Sequence, residues 1–211
     1  ITLVGSHPFY KTAVTFSINS SDAVTSVSQS LKDDTQRLFK TKKDITVIPN
    51  FVDLNKYKSA GNQCPKGILA KDTERIITHI SNFRAVKRIP DVIHIFNNIR
   101  KEVPSKLLMI GEGPERENAE KLCIDLNIEN HVLFLGNSNE VNKILCFSDL
   151  FLLPSETESF GLSALEAMAS GVPVISSDTG GLPELNLNGF SGYLSPCLLY
   201  TSDAADEVRR G

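Results

Sequence analysis

The sequence lacks the features that mark several classes of protein. Its 22 lysines and arginines face 25 aspartates and glutamates, so the net charge is −3 and no basic surplus exists for a nucleic-acid backbone. The longest apolar runs, such as 150–154 and 172–175, are far shorter than the roughly 20 residues that cross a bilayer. No charged leader followed by an apolar segment is seen. We therefore expect a cytoplasmic protein with no nucleic-acid partner and no membrane partner.

Cysteine and metal-binding patterns are also scarce. The four cysteines form no C-x-x-C pair, and none lies at metal-finger spacing from a histidine, so we expect scattered reduced thiols. Neither an H-E-x-x-H motif nor an Asp-x-Asp pair occurs. The sequence therefore predicts no metal site and no cofactor. Any phosphate chemistry would rely on backbone amides and cationic side chains.

Four segments with different patterns predict the domain organisation. Residues 1–50 begin in mid-pattern and are expected to be the trailing part of a truncated domain. Residues 51–62, with Lys, Asn and Gly, predict a linker, and 63–196 predict one α/β domain. After the loop-like NGFSGYLSP the apolar pattern stops, and 197–211 resemble the read-through of a sequencing-library adapter, so we expect a non-native tail. The chain is expected to be a piece of a longer protein that lacks both ends.

Short apolar runs alternate with segments of helical spacing along the chain. The runs are mostly uninterrupted by polar residues, which is typical of strands covered on both faces of a parallel sheet. These predicted strands are 45–49, 75–80, 106–111, 131–136, 149–154 and 172–176. Helices are predicted over 92–103, 114–126, 139–147 and 160–170. The alternation predicts an α/β fold with a Rossmann-like, doubly wound parallel sheet, in which ligands bind beyond the carboxyl ends of the strands.

The first fifty residues carry a separate helix and strand pattern. A helix is predicted over 10–19, a strand within 22–28 and a second helix over 28–39. Ser28 or Ser30 would cap this second helix, because a serine oxygen can accept a bond from a free N–H of the first turn.

Two carboxylates near one predicted helix start are the candidates for chemistry. The loop 155–159 leads to a helix N-terminus, where free N–H groups and the helix dipole favour an anion. Glu166 is the single charged residue within 159–177, and Glu158 precedes it by eight positions. Eight positions span about 12 Å on an ideal helix, more than the ~5–9.5 Å between the carboxyls of a glycosidase. The pair therefore fits better as acceptors for hydroxyls of two sugars with a diphosphate between them; a solvent-facing stripe is the alternative for Glu166.

The same stretch carries a family resemblance. PSETESFGLSALEAMASGVPVIS resembles the E-x7-E signature of the retaining family 4 glycosyltransferases, and IPNFVDLNKY, ISNFRAVKR, LLMIGEGPE, FLG and FSDLFLLPS follow in the family's order. The resemblance implies the C-terminal, donor-binding half of a GT-B glycosyltransferase, with 1–50 as a remnant of its N-terminal acceptor domain. The wording of GSHPFYKTAVTFSIN and HISNFRAVKRIPDVI is similar to members that join N-acetylglucosamine to L-malate in bacillithiol synthesis.

This resemblance implies ligands and residue roles. The donor would be UDP-N-acetylglucosamine, with UDP as the product and L-malate as the acceptor. Glu166 would bind the donor ribose, and Glu158 would contact the hydroxyls of the transferred sugar. Lys87, assisted by Arg84, would neutralise the diphosphate leaving group in place of a metal. The other implied donor contacts are Ser159, Phe160, Gly161, Leu162, Asn82, Asn137 and Gly113.

The sequence departs from the family pattern at one position, and several residues have a structural alternative. Asn82 stands where the family has an arginine, so either Arg84 reaches the diphosphate by another route or the number of cations differs. A solvated surface is the alternative for Arg84 and Arg88, and a strand-to-helix turn is the alternative for Gly113. The pair 180–181 predicts either a plain turn or a close approach of backbone to ligand. His79, inside a predicted strand, is expected to be a structural residue rather than a base.

Three functions remain open at this point. The first is a retaining hexosyltransferase that moves N-acetylglucosamine from UDP to L-malate. The second has the same donor but a polysaccharide or lipid acceptor, and the third is a nucleotide-binding module without catalysis. Because the catalytic cleft of this architecture lies between two domains, we expect the chain by itself to be inactive. A further candidate partner is a second copy of the chain, as a homo-oligomer.

Overall fold

A computed structural model describes residues 7–58, 69–71 and 73–196. The chain begins with helix α1 (Pro8–Ser20), strand β1 (Val24–Ser26), helix α2 (Gln29–Phe39) and strand β2 (Ile45–Val47). The strands β1 and β2 pair in parallel and form a sheet of their own. The hydroxyl of Ser28 accepts a hydrogen bond from the N–H of Leu31 at 3.1 Å, which confirms Ser28 as the cap of α2.

A six-stranded sheet forms the main body of the described chain. Its strands are β3 (Arg75–Ile80), β4 (Ser105–Ile110), β5 (Val132–Gly136), β6 (Leu150–Leu153), β7 (Val174–Ser177) and β8 (Gly192–Ser195). They lie in the order β5-β4-β3-β6-β7-β8, and every neighbouring pair is parallel. The chain steps outward from β3 to β5, returns to place β6 beside β3, and steps outward again to β8. This is the predicted doubly wound α/β sheet, with its switch point between β3 and β6.

Helices connect the strands and cover the sheet. They are α3 (Leu54–Lys58), α4 (Ile89–Glu102), α5 (Arg116–Asp125), α6 (Val141–Leu145), α7 (Leu162–Ala169) and α8 (Leu182–Leu185), with 3₁₀ turns at Ala85–Lys87 and Glu129–His131. On one face of the sheet, side chains such as Leu107, Met109 and Leu152 are buried with residues of α4 and α5. On the other face, Phe151 and Val174 are buried with the alanines of α7. Burial on both faces explains the continuous apolar runs in the sequence.

The predicted elements differ from the observed ones mainly at their ends and at three short elements. The predicted strands and main helices are all present, with bounds shifted by up to three residues. Strand β8 was missed because NGFSGYLSP looks like a loop. Gly192 is needed in this edge strand, since a Cβ there would lie 2.0 Å from the carbonyl oxygen of Val174. Helix α8 was also missed, and α3 lies within the predicted linker 51–62, whose described part is therefore partly helical.

The cysteines correct one expectation. Cys123 is a buried free thiol, and burial raises its pKa to about 11. Cys146, in contrast, takes part in a disulfide bond, so the expectation of reduced thiols is wrong at that position. Cys64, Cys197 and the predicted tail 197–211 lie outside the described residues. Within 7–58, 69–71 and 73–196, no helix has the length and apolar character that a membrane span requires.

Candidate functional site

The loops after β3 and β6 meet at the switch point of the sheet. The loop after β3 runs into the 3₁₀ turn Ala85–Lys87, and the loop after β6 carries Glu158 on its way to α7. The N–H of Glu156 donates to the carbonyl oxygen of Val86 at 2.8 Å, so the two loops are joined through their backbones. Ligands of doubly wound sheets bind at this place, outside the carboxyl ends of the strands where the strand order reverses.

An ion pair at the switch point joins two of the predicted catalytic residues. The ammonium group of Lys87 donates to the carboxylate of Glu158, although 71 residues separate them in sequence. Their side chains are only 17% and 15% exposed, so water screens the pair weakly. Each charge is thereby neutralised by the other. A ligand that carries both an anion and hydroxyl groups could replace each partner of this pair.

The N-terminus of α7 has no side-chain cap. Gly161 is the N-cap at φ +96°, and no side chain of the described residues accepts a hydrogen bond from the first turn. A Cβ there would lie 2.6 Å from Cδ2 of Leu182, so that side chain would have to shift, and the left-handed backbone adds strain for any residue other than glycine. Phe160 and Gly161 are buried, while Ser159 and Leu162 are exposed at the mouth of the loop. The free N–H groups of this turn and the helix dipole favour an anion.

Two glycines after β7 hold the Glu158 loop in place. The N–H of Gly181 donates to the carbonyl oxygen of Glu158 at 2.9 Å. A Cβ on Gly180 would lie 1.9 Å from that same oxygen, and a Cβ on Gly181 would lie 2.4 Å from the carbonyl oxygen of Ser159. The close approach expected at 180–181 is therefore an approach to the backbone of the Glu158 loop.

Glu166 is bound by a tyrosine that the sequence did not single out. Oε1 of Glu166 accepts a hydrogen bond of 2.9 Å from the hydroxyl of Tyr57, which lies in α3 and is 7% exposed. Burial, followed by the hydrogen bond and the charge of Glu166, raises the pKa of Tyr57 to about 12. Glu166 is partly buried and accepts a hydrogen bond from Tyr57, so the alternative that it lies on a solvent-facing stripe of the helix is wrong. An aromatic residue within a polar segment was the available signal for Tyr57.

The other predicted site residues lie along the same edge of the sheet but take no part in the ion pair at the switch point. Asn82 and Arg84 are exposed in the loop after β3, and Arg84 forms no ion pair with a described residue. Asn137 is exposed after β5, which is two strands away from β3. Gly113 packs on the backbone, since a Cβ there would lie 2.1 Å from the carbonyl oxygen of Asn82. This contact gives Gly113 a structural role, and its donor contact stays a prediction.

Two basic residues near the switch point have internal partners. Arg88 forms an ion pair with Asp91 and is partly buried, so a fully solvated surface does not describe it. His79 is fully buried, with Nδ1 2.9 Å from the carbonyl oxygen of Leu152 and Nε2 2.8 Å from the hydroxyl of Ser81. Burial lowers the pKa of His79 to about 4, so it is neutral at physiological pH. The expected structural role of His79 is confirmed.

The N-terminal part of the chain contacts the Glu158 loop directly. The hydroxyl of Ser28 donates to the carbonyl oxygen of Ser159 at 2.6 Å. The carboxylate of Glu184, in α8, accepts from the N–H groups of Gln29 and Ser30 at 2.8 and 2.7 Å. A carboxylate at a helix N-terminus is stabilised by the helix dipole, so this contact holds α2 beside the switch point.

Comparison with known protein families matches both parts of the chain. The family described as glycosyl transferases group 1 matches residues 63–210, and the family described as Glycosyltransferase Family 4 matches residues 2–56. The chain belongs to the group 1 glycosyltransferases. It is similar to N-acetyl-alpha-D-glucosaminyl L-malate synthase of Bacillus anthracis, with 47% identity over 195 residues that cover 92% of this chain and 51% of that enzyme.

A second relative agrees with this family. An uncharacterized glycosyltransferase of Methanocaldococcus jannaschii is 33% identical over 181 residues, which cover 81% of this glycosyltransferase chain and 46% of that protein. The chain spans about half the length of the curated relatives it matches.

The solved structures confirm the GT-B fold predicted from the resemblance. Sucrose-phosphate synthase from Thermosynechococcus elongatus has a TM-score of 0.79 at 24% identity, over 97% of this chain and 52% of that one. Anabaena HepE in complex with UDP and glucose has a TM-score of 0.77 at 23% identity, over 89% of this chain and 53% of that one.

Metal-binding side chains do not gather in the described part of the chain. Among its histidines, cysteines, aspartates and glutamates, no group of three or more is placed to hold a metal ion. Independence from metal stays a prediction, to be tested with the donor itself.

Proposed function

We propose that the whole protein transfers N-acetylglucosamine from UDP-N-acetylglucosamine to L-malate with retention, and that this chain supplies its donor-binding half. The observation that carries the proposal is the 47% identity to the malate-linking synthase of Bacillus anthracis over 92% of the chain. The geometry of the switch point supports it, because groups that suit the diphosphate and the two sugars of the donor lie there.

The diphosphate is expected to lie between Lys87 and the N-terminus of α7. Both carry positive potential, and the helix start has no side-chain cap to compete with a ligand. Lys87 would exchange Glu158 for the diphosphate when the donor binds. A cation fixed there offsets the negative charge that develops as UDP departs, and so lowers the barrier without a metal ion.

The two glutamates then serve the two sugars of the donor. Glu158, released from Lys87, accepts hydrogen bonds from hydroxyls of the transferred N-acetylglucosamine. Glu166 accepts from the ribose hydroxyls, since a carboxylate can take paired bonds from vicinal hydroxyls. As the bond between the anomeric carbon and UDP breaks, the malate hydroxyl attacks that carbon from the face that UDP leaves and passes its proton to the departing diphosphate oxygen, so the configuration is retained.

The acceptor side of the proposal rests on the contact between α2 and the Glu158 loop. Ser28 reaches the carbonyl oxygen of Ser159 at 2.6 Å, so the N-terminal part of the chain borders the sugar position. An acceptor held by the rest of the N-terminal domain would meet the donor at this border. The chain by itself is expected to bind donor without turnover.

Calorimetric titration of UDP and of UDP-N-acetylglucosamine into the 211-residue chain tests the donor site. Both ligands should bind equally well with and without magnesium, and Glu166→Ala should weaken UDP binding about tenfold, or about 1.4 kcal/mol. Glu117→Ala, at an exposed position of α5, is the matched control and should bind as the parent chain does. A folded chain that binds neither ligand, or equal binding by Glu166→Ala, would contradict the proposed site.

A second assay addresses the acceptor. The full-length protein, incubated with UDP-N-acetylglucosamine and L-malate, should release UDP and form a glycoside whose anomeric coupling constant matches that of the donor. Release of UDP with a polysaccharide or lipid acceptor, and none with malate, would replace the acceptor but keep the donor site.

A further inference from the structure

We propose that Tyr57 is a positioning residue for the donor ribose: its hydroxyl holds the Glu166 carboxylate in the orientation that accepts the ribose hydroxyls. This inference rests on the proposed function, since it assigns Tyr57 a role through Glu166. Tyr57 lies 109 residues before Glu166, in a segment that connects the two parts of the chain.

The hydroxyl of Tyr57 is fixed in space by its surroundings. The ring is buried in a core cluster with Leu145 of α6, Phe151 of β6 and Ala164 of α7. Helix α3 itself is tied to α6, because the side-chain amide of Asn142 donates to the carbonyl oxygen of Lys56 at 3.1 Å. A ring packed in this way leaves its hydroxyl little freedom, so the hydrogen bond to Glu166 has a defined direction.

A glutamate needs such a partner to act as a specific acceptor. Its side chain has three rotatable bonds, and fixing them costs conformational entropy when a ligand binds. The hydrogen bond from Tyr57 takes one acceptor position of Oε1 of Glu166 and leaves its second position, together with Oε2, for the ligand. The entropy is therefore lost on folding rather than on binding, which is the general advantage of preorganisation.

The chemistry of Tyr57 suits this role over a wide pH range. Because burial and Glu166 raise the pKa of Tyr57 to about 12, the phenol stays protonated and remains a donor well above neutral pH. A neutral donor also adds no negative charge beside a diphosphate. The competing explanation is that Tyr57 only anchors α3 to α7, and a purely structural anchor would not distinguish between ligands with and without ribose hydroxyls.

Comparison of UDP with its 2′,3′-dideoxy analogue separates these two roles. In the 211-residue chain, Tyr57→Phe should weaken UDP binding about tenfold and leave binding of the dideoxy analogue within about twofold. In a Glu166→Ala background, Tyr57→Phe should have no further effect on UDP. Tyr193→Phe, at a position 64% exposed on β8, is the matched control and should leave both ligands unchanged.

The outcomes distinguish this inference from the proposed function. If the parent chain binds no UDP, the proposed donor site fails, and the role of Tyr57 fails with it. If UDP binding depends on Glu166 but Tyr57→Phe weakens both ligands equally, or neither, only the inference about Tyr57 is overturned.

A measurement on the parent chain covers the case in which Tyr57→Phe does not fold. In chain labelled with 3-fluorotyrosine, with resonances assigned by replacing the other tyrosines in turn, UDP should shift the Tyr57 fluorine signal. The dideoxy analogue should leave that signal in place. A Tyr57 signal that UDP does not move would overturn the inference.

Discussion

Acidification is expected to destabilise the chain through His79, a residue of β3 whose ring is buried in neutral form and bonded to β6. Its Nδ1 faces the carbonyl oxygen of Leu152, which can only accept, so this nitrogen carries the proton. Nε2 then accepts from the hydroxyl of Ser81, and that oxygen accepts in turn from the N–H of Phe83 at 3.3 Å. A second proton on His79 would break this chain of hydrogen bonds.

The size of the effect follows from the two pKa values. The folded pKa of His79 is lowered from 6.5 to about 4, so between these values the unfolded chain takes up a proton that the folded chain does not. The free energy of unfolding therefore holds its full value above pH 6.5 and falls as the pH drops toward 4. From His79 alone we expect a fall of about 2 kcal/mol at pH 5 and about 3 kcal/mol at the lower limit.

Urea unfolding at pH 7.5 and at pH 5, followed by circular dichroism, measures this fall. His79→Gln should lose most of it, and the difference from the parent chain isolates His79 from other groups such as His131, whose pKa burial also lowers. His94→Gln, at an exposed position of α4, is the control and should keep the fall. An equal fall in the parent chain and in His79→Gln, or ring resonances of His79 that titrate near pH 6.5, would refute the reasoning.

Two further predictions concern the switch-point loops. Gly180→Ala places a Cβ 1.9 Å from the carbonyl oxygen of Glu158, so it should lower the free energy of unfolding in urea by more than about 2 kcal/mol. Gly171→Ala is the control, because its Cβ meets no atom within 4 Å. It should lower the free energy of unfolding only by the left-handed strain of about 1 kcal/mol. Equal losses for the two variants would show that the clash is relieved elsewhere. Lys87→Met should weaken UDP binding by calorimetry about tenfold or more and leave uridine binding unchanged, because the lysine acts on the diphosphate. Parallel losses for both ligands would remove Lys87 from the diphosphate site.

Local patterns in the sequence determined most of the secondary structure. Mostly uninterrupted apolar runs predicted β3 to β7. Both faces of these strands are buried, so consecutive residues have to be apolar. Ser28 could be named as one of two candidate caps, Ser28 or Ser30, because the partner of a cap lies only three residues away. The run from Glu158 to Glu166 likewise marks the family within nine residues of sequence. Strand β8 was not predicted because its glycine, Gly192, is explained only by the close backbone of the neighbouring strand β7, which the local sequence does not show.

The tertiary structure alone decided which residues meet. The return of the chain that sets β6 beside β3 brings Lys87 to Glu158, and the packing of α3 under α7 brings Tyr57 to Glu166. These pairs are 71 and 109 residues apart, so no local propensity or periodicity encodes them. They depend on strand order and on how the faces of the sheet are covered, which is settled only when distant elements pack together.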